Sequence, residues 1–326
     1  MASDMADTDA FGNIEEESSL QSDERESLSG ASDDSGFTYR FKKHARQIAK
    51  ILCGEIFASA MFIGLVCGIA SRLAQKDALG ALIIDAGSGL MIGSFLLWLI
   101  ALVTLYTFSA VGGAHFNPAV TFFFWLFTSK VTSLDAVVHM LGQFVGSFVG
   151  YSIDMMIRPD LAHHPETVKV PIPNDPETSF TFYAMEGFLV ALLCIVIFVV
   201  DIQFERKSGA LKDEKKTMNR YMINKYIYHS ARSAAYSFDL LVIASMFPIL
   251  AVLGGDVSGG SFNFLRVVWP AAFDNDTFKI WGFVVAHIGG AVAAAVICWL
   301  LMWANFIGNA ELFQKMYRAP KIPFIM

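Results

Sequence analysis

Two short stretches centred on asparagine carry the side chains best suited to act on a passing solute. The first runs over residues 112–120 and the second over residues 258–266. Their central residues are Asn117, Pro118 and Ala119 in the first stretch, and Asn263, Phe264, Leu265 and Arg266 in the second. Asparagine is a favoured N-cap residue, and proline is favoured at the first helical position. Each stretch therefore predicts a short helix that begins directly after its asparagine.

Both stretches are apolar, yet each is too short to cross a bilayer. Non-helical backbone at membrane depth survives only when it is buried in protein or lines a wet cavity. We therefore expect two re-entrant segments whose short helices meet near the middle of the membrane. The N-terminus of a helix carries a partial positive charge, and each asparagine amide can donate a hydrogen bond to an oxygen atom. This arrangement suits a neutral polar solute in single file, and it repels cations.

Charged residues inside apolar segments need an explanation, because charge at membrane depth is expensive. Arg266 follows the second asparagine by three residues, so both share a helix face and Arg266 is expected to face the same path. Glu55 and Glu186 occur once in each half of the chain. We expect their carboxylates to accept hydrogen bonds from backbone N–H groups of the re-entrant turns, while a proton or ion relay stays open. His139 and His287 are assigned to packing.

The elements that must position these residues are predicted from composition. Hydrophobic residues make up 55% of the 326 residues and charged residues 17%, whereas a soluble domain has roughly 45–50% and about 25%. Six segments are apolar and long enough for a spanning helix. They lie near 47–71, 85–110, 134–157, 180–202, 233–254 and 280–304. The predicted fold class is an all-α membrane protein with six transmembrane helices and two re-entrant half-helices.

The two halves of the chain are similar to one another, with a first repeat at about 46–157 and a second at about 180–305. Each repeat has a glutamate in its first span, then a second span, an asparagine-centred stretch and a third span. Because each half contains three spans, an odd number, the halves insert in opposite orientations. The pattern predicts an inverted repeat whose symmetry axis lies in the membrane plane.

The regions that flank the repeats are charged. Residues 1–40 are predicted to form a disordered acidic tail, because they combine many carboxylates with few apolar residues. A channel domain at 41–308 follows, with a basic cytoplasmic loop at 203–231, and then a cytoplasmic tail at 309–326. Most of the 24 Lys and Arg residues fall on one side of the six spans, which predicts that both termini are cytoplasmic. The sequon at Asn275 is then an external glycosylation candidate.

Several classes of function have no support in the sequence. It contains no Gly-rich phosphate loop, no catalytic triad spacing and no cysteine pair spaced for a metal. We therefore expect no enzyme activity, no cofactor, no metal site and no nucleic-acid partner. The expected partners are the lipid bilayer, water and small neutral solutes. The membrane is either the plasma membrane or an intracellular one.

The stretch Ser109–Thr121 resembles, almost residue for residue, the first Asn-Pro-Ala loop of the aquaporin family, the major intrinsic proteins. Glu55, Glu186 and residues 143–146 also fit this family, and the resemblance covers roughly 45–305. It implies a right-handed bundle, four protomers in each assembly and one pore in each protomer. It further implies a passive channel for water, with glycerol and other small neutral solutes as further candidates and with ions and protons excluded.

The second loop departs from the family pattern, because Phe264 and Leu265 stand where Pro and Ala are usual. These two bulky side chains must either repack the contact at the centre of the pore or enter the channel. The alternative function is therefore a closed or gated pore with a structural or adhesive role in the membrane.

The resemblance also implies an outer selectivity filter formed by Leu97, Ala251, Gly260 and Arg266. In the water-selective members of the family that the chain resembles, these four positions hold an aromatic residue, a histidine, a small residue and an arginine. Ala251 in place of histidine predicts a wider and more apolar ring, as in members that conduct glycerol. Those members often have Asp directly after the arginine, where this chain has Val267.

Overall fold

The computed structural model describes residues 33–74, 86–128, 130–158, 176–217, 223–273, 280–304 and 306–307. Within these ranges lie helices α1 (Asp33–Ala74), α2 (Ala86–Gly112), α3 (Pro118–Phe127), α4 (Ser133–Ile157), α5 (Pro176–Thr217), α6 (Ile223–Ser258), α7 (Leu265–Phe273) and α8 (Ile280–Trp303). No strand occurs in the described ranges. The chain divides into two compact units, Met1–Lys50 and Ile51–Met326, and the site described below lies in the second.

Six helical segments of the described chain are long and apolar enough to cross a membrane. They are His44–Ala70, Gly89–Gly112, Ser133–Ile157, Thr178–Phe204, Ser233–Ser258 and Ile280–Trp303. Many large apolar side chains on these segments stay exposed, among them Phe95, Met156 and Trp281. Such a surface is unfavourable in water and suits contact with lipid. The prediction of six spans is confirmed.

The two short helices, α3 and α7, begin where the asparagine stretches predict. Asn117 is the N-cap of α3, and its Oδ1 accepts a hydrogen bond from the N–H of Ala119 at 3.0 Å. Asn263 Oδ1 accepts in the same way from the N–H of Leu265 at 3.2 Å. Pro118 is the first residue of α3, where a missing N–H costs nothing. The predicted fold class, with its two half-helices, is confirmed.

Close backbone contacts at glycines join the first and third spans of each half. Between α1 and α4, a Cβ atom at Gly64 would lie 2.9 Å from the carbonyl oxygen of Gly150. Between α5 and α8, a Cβ atom at Gly290 would overlap the backbone carbonyl of Gly187. The same pair of helices thus packs through glycine in both repeats, and only a residue without a side chain permits this distance.

Helices extend beyond the membrane spans into regions predicted to be loop or tail. α5 continues to Thr217 and α6 begins at Ile223, so much of the predicted loop at 203–231 is helical. α1 begins at Asp33, inside the predicted disordered tail. The reason is that hydropathy marks where the membrane ends and not where the helix ends, since Lys, Glu, Arg and Ala are strong helix formers. Outside the described residues lie the predictions for residues 1–32, residues 309–326 and Asn275.

Two adjacent glycines on α8 test the packing of the spans. Gly290→Ala places a methyl group against the Gly187 carbonyl, and overpacking of this kind costs about 1–3 kcal/mol of unfolding free energy. Gly289→Ala is the matched control, because a Cβ atom there meets no described atom within 4 Å. Both variants gain the same helix propensity. We expect only Gly290→Ala to lower the thermal unfolding midpoint in detergent, and equal midpoints would contradict the packing.

Candidate functional site

The two asparagine side chains are bonded to each other's loop. Asn117 Nδ2 donates a hydrogen bond to the carbonyl oxygen of Phe262 at 2.8 Å, and Asn263 Nδ2 donates to the carbonyl oxygen of Phe116 at 2.7 Å. Both asparagines are almost fully buried. Loops far apart in the sequence are therefore joined at the N-termini of α3 and α7.

The backbone adopts an uncommon conformation directly before each asparagine. Phe116 has a φ of 31° and Phe262 a φ of 34°, left-handed values that few residues other than glycine adopt. The turn directs each phenylalanine carbonyl to the opposite asparagine and each phenylalanine N–H to a carboxylate. A backbone of this kind persists only where its surroundings hold it.

Glu55 on α1 holds the first loop with a fully buried carboxylate. Its Oε1 accepts a hydrogen bond from the N–H of His115 at 2.8 Å and pairs with His139 Nδ1 at 2.9 Å. Its Oε2 accepts from the N–H of Phe116 and from the side-chain amide of Gln143, both at 2.9 Å. Each oxygen atom thus has two partners, which offsets the loss of hydration on burial.

Glu186 on α5 holds the second loop in the same way and is also fully buried. Its Oε1 accepts from the N–H of Ser261 at 2.8 Å and from the hydroxyl of Ser258 at 2.7 Å. Its Oε2 accepts from the N–H of Phe262 at 2.8 Å and pairs with His287 Nε2 at 3.0 Å. The two repeats therefore use one pattern: a glutamate that bonds two consecutive N–H groups before the asparagine, and an imidazole that bonds the glutamate.

The role of the two histidines is the part that sequence analysis misses. His139 on α4 and His287 on α8 are more than packing residues, because each imidazole bonds the glutamate of its own half. One signal exists in the sequence, since each histidine lies in the third span of its repeat at a similar interval after the asparagine. The interval does not show which partner the imidazole reaches.

Glu55, His115 and His139 also bring three ligand atoms within 4.8 Å of one another, a spacing that a metal ion could bridge. The two imidazole rings stack with centroids 4.5 Å apart, and His115 Nδ1 lies 3.1 Å from the hydroxyl oxygen of Thr121. Both carboxylate oxygens are already engaged. Metal binding would break the hydrogen bonds that hold the first loop. These three residues are therefore better suited to hold the loop in place than to bind a metal.

The residues predicted to form an outer ring lie together. Leu97, Ala251 and Arg266 line one cavity of about 210 Å³, which we call the outer cavity. Gly260 lies beside it, since a Cβ atom there would be 3.1 Å from the Cα of Ala251. Arg266 Nη1 donates to the carbonyl oxygens of Gly259 at 3.1 Å and Gly260 at 3.2 Å, which fixes the guanidinium. Arg266 is the charged residue among the described side chains of this mainly apolar cavity.

A second cavity, of about 190 Å³, lies towards the opposite ends of α2 and α6, and we call it the inner cavity. Asn117 and His115 line it. Two carboxylates, Asp201 and Asp239, also belong to its wall. Lys130 Nζ forms an ion pair with Asp201 at 2.7 Å. The reciprocal asparagine contact therefore has a cavity on each side.

This geometry can be set beside known proteins. The profile of the family described as "Major intrinsic protein" matches residues 42–213, more than half of the chain. The chain belongs to the major intrinsic protein family. Its members are membrane channels, the aquaporins, and not enzymes. The chain is accordingly an integral, multi-pass membrane protein of a channel family that acts on small solutes.

The individual relatives of this major intrinsic protein include an aquaporin, a glycerol uptake facilitator and an aquaglyceroporin of known structure. Aquaporin-B of Dictyostelium discoideum is 26% identical over 247 residues, which cover 75% of this chain and 80% of that protein. The glycerol uptake facilitator protein of Buchnera aphidicola is 33% identical over 151 residues, which cover 46% of this chain and 42% of that protein. The X-ray structure of the aquaglyceroporin from Plasmodium falciparum shares the fold, with a TM-score of 0.53 and 17% identity, covering 78% of this chain and 99% of that one.

This major intrinsic protein accommodates the unusual second motif by packing. Leu265 is fully buried in the hydrophobic core. The Phe264 ring faces the imidazole of His287, with centroids 6.1 Å apart. Neither side chain is among the described residues that line the inner or the outer cavity. Leu265 therefore lies in the core, and Phe264 packs partly buried against it.

Replacement of one carboxylate oxygen of Glu186 by an amide nitrogen tests whether this buried glutamate holds the second loop of this major intrinsic protein. Glu186→Gln places an NH₂ group against donors of the second loop, and a lost hydrogen bond to a charged group costs about 1.5–3 kcal/mol. We expect a lower thermal unfolding midpoint in detergent and a loss of solute flux in proteoliposomes. Asp256→Asn, at an exposed carboxylate on α6, is the control and should change neither. An unchanged midpoint and flux in Glu186→Gln would show that the second loop does not depend on this carboxylate.

Proposed function

We propose that the chain is a passive channel that conducts water and small neutral solutes such as glycerol and excludes ions and protons. The observation that carries this proposal is the reciprocal contact of Asn117 and Asn263 between two cavities. An amide nitrogen carries two N–H groups. Each amide nitrogen makes one hydrogen bond within the described residues, which leaves a second N–H for the oxygen of a passing molecule.

The exclusion of ions is supported by the charges around this contact. The N-termini of α3 and α7 converge there, and their partial positive charges repel a cation. Arg266 adds a full positive charge on the outer side. An ion of either sign would also lose hydration in cavities whose walls are mainly apolar, which is costly without compensating partners. A neutral solute that needs only one or two hydrogen bonds meets none of these barriers.

Passage of glycerol in addition to water is supported by the width and polarity of the outer ring. Ala251 and Gly260 contribute almost no side-chain volume, and Leu97 is apolar. Arg266 remains as a hydrogen-bond donor for a hydroxyl group. Such a ring offers an apolar wall to the carbon chain of a polyol and a polar wall to its hydroxyl groups.

The assembly and orientation are further parts of the proposal. We infer a homotetramer with one pore in each protomer, on the basis of the family. We infer that both termini face the cytoplasm, because most Lys and Arg residues lie on that side of the spans. Asn275 then faces outside as a glycosylation candidate. The alternative, a pore plugged by Phe264 and Leu265 with a structural or adhesive role, gains no support from the positions of these two side chains.

Stopped-flow light scattering on proteoliposomes tests the channel and its ion exclusion. The full chain should speed both shrinkage in an impermeant osmolyte and re-swelling in glycerol, relative to empty vesicles. A fluorescent dye should report no proton or potassium leak above that of empty vesicles. Arg266→Val removes a positive charge beside the proposed path, and Asn117→Asp adds a negative charge to it. Both variants should raise the cation leak by about ten-fold. An unchanged leak in both variants would contradict the proposed basis of ion exclusion.

A pair of neighbouring residues on α6 tests the width of the outer ring. Ala251→Leu adds three carbon atoms inside the ring, and it should reduce glycerol flux by a larger factor than water flux. Val252→Leu is the matched control, because Val252 is on the same helix and its side chain is exposed at the protein surface. The control should leave both fluxes unchanged. An equal loss of water and glycerol flux in Ala251→Leu would mean that this position does not select by size.

A further inference from the structure

Four phenylalanine rings form an apolar layer at the reciprocal asparagine contact. The ring of Phe62, on α1, has its centroid 4.6 Å from that of Phe116 and 5.4 Å from that of Phe247, on α6. The Phe247 centroid lies 5.7 Å from that of Phe116 and 5.5 Å from that of Phe262. None of the four side chains is more than 3% exposed. We call this set the aromatic layer.

The level of the aromatic layer is given by the register of α6. Ile243 and Phe247 line the inner cavity, whereas Ala251 and Gly255 line the outer cavity. Residues four apart share one face of a helix. A single face of α6 therefore runs along both cavities, and Phe247 is its last residue on the inner side.

The residues of α1 give the same position for the aromatic layer, just below the outer cavity. Val66 and Ala70 line the outer cavity, and Phe62 precedes Val66 by one turn. The inner and the outer cavity have no lining residue in common among the described residues. Along α1 and α6, the contact between Phe62 and Phe247 therefore lies between the levels of the two cavities.

Two backbone carbonyls and one N–H of each asparagine amide at this level already make hydrogen bonds. The carbonyl oxygens of Phe116 and Phe262 accept hydrogen bonds from the two asparagine amides. Water that enters the layer exchanges its bulk hydrogen bonds for contact with four rings and the remaining amide hydrogens. Constrictions of this kind limit flux because they resist wetting.

Two members of the layer cannot be altered without harm to the loops. Phe116 and Phe262 have left-handed backbones, and their N–H groups bond the buried glutamates. Phe62 and Phe247 lie on long regular helices, and no hydrogen bond of a loop depends on their rings. Phe62 and Phe247 are therefore the members of the layer that can be substituted without the loss of a loop hydrogen bond.

We propose that Phe247, with Phe62 as its partner, is the narrowest and flux-limiting position of the path. This proposal rests on the proposed function, because it assumes that solutes pass between the two cavities. It assigns the limiting step to an aromatic pair at the centre of the protein. The outer ring of Leu97, Ala251 and Arg266 then selects among solutes that the aromatic pair slows.

The test compares four variants with the wild-type chain in proteoliposomes. Phe247→Val removes the ring, and we expect water flux to rise by about three-fold or more and glycerol flux by a larger factor. The side chain in Phe247→Leu is larger than that in Phe247→Val. We therefore expect smaller rises in both fluxes, again with the larger factor for glycerol. Phe238→Val is the matched control, since Phe238 is 57% exposed on the same helix, and its fluxes should equal those of the wild type. A rise in flux cannot come from a misfolded channel.

The outcomes separate this proposal from the proposed function. If the wild type conducts and both Phe247 variants conduct at the same rate, the aromatic pair is not limiting, and the channel function stands. If the wild type does not conduct and Phe247→Val does, the aromatic pair is confirmed, and the wild-type pore is closed. If neither conducts while unfolding midpoints match, both proposals fail. A rise in Phe264→Ala without a rise in Phe247→Val would place the limit at the second motif instead.

Discussion

Backbone N–H groups that leave a helix inside a membrane have no water to bond, and each must find a partner within the protein. The centre of this channel contains two such interruptions. Glu55 and Glu186 resolve them, each with one carboxylate that binds two consecutive N–H groups of a loop. A neutral side chain could not do this, since it would offer fewer acceptor sites. The left-handed turns, the half-helices and the cavities on either side all depend on these two buried charges.

The second requirement is that the two loops recognise each other. Asn117 and Asn263 meet it by a reciprocal exchange, in which each side chain caps its own helix and bonds the opposite loop. One residue type thus sets the start of a helix and joins two repeats, and in the proposed function it also offers an N–H to the solute. This economy explains how Phe264 and Leu265 can replace the usual Pro-Ala pair. The asparagine holds the contact, while Leu265 lies in the core and Phe264 packs against the core beside His287.

The path through the protein has polar groups at intervals and apolar walls between them. Arg266 lies in the outer cavity, and Asp201 and Asp239 lie in the wall of the inner one. The aromatic layer separates these regions at the asparagine contact. We interpret the arrangement as a division of tasks, in which the outer ring selects by size and hydrogen bonding and the aromatic layer limits the rate. In the proposed function, the exclusion of cations is attributed to the convergence of two helix N-termini.

The sequence alone predicts the spans, the half-helices and the inverted repeat, because apolar runs, N-cap residues and the number of spans in each half are local or additive properties of the chain. It also predicted that the two glutamates serve the re-entrant turns. It did not determine where helices end outside the membrane, since charged residues continue a helix as well as apolar ones do. The folded chain was needed to show that His139 and His287 bond the glutamates and that Phe62 contacts Phe247. These contacts join residues from different helices, and their distances follow from the packing of the whole bundle, which no local pattern records.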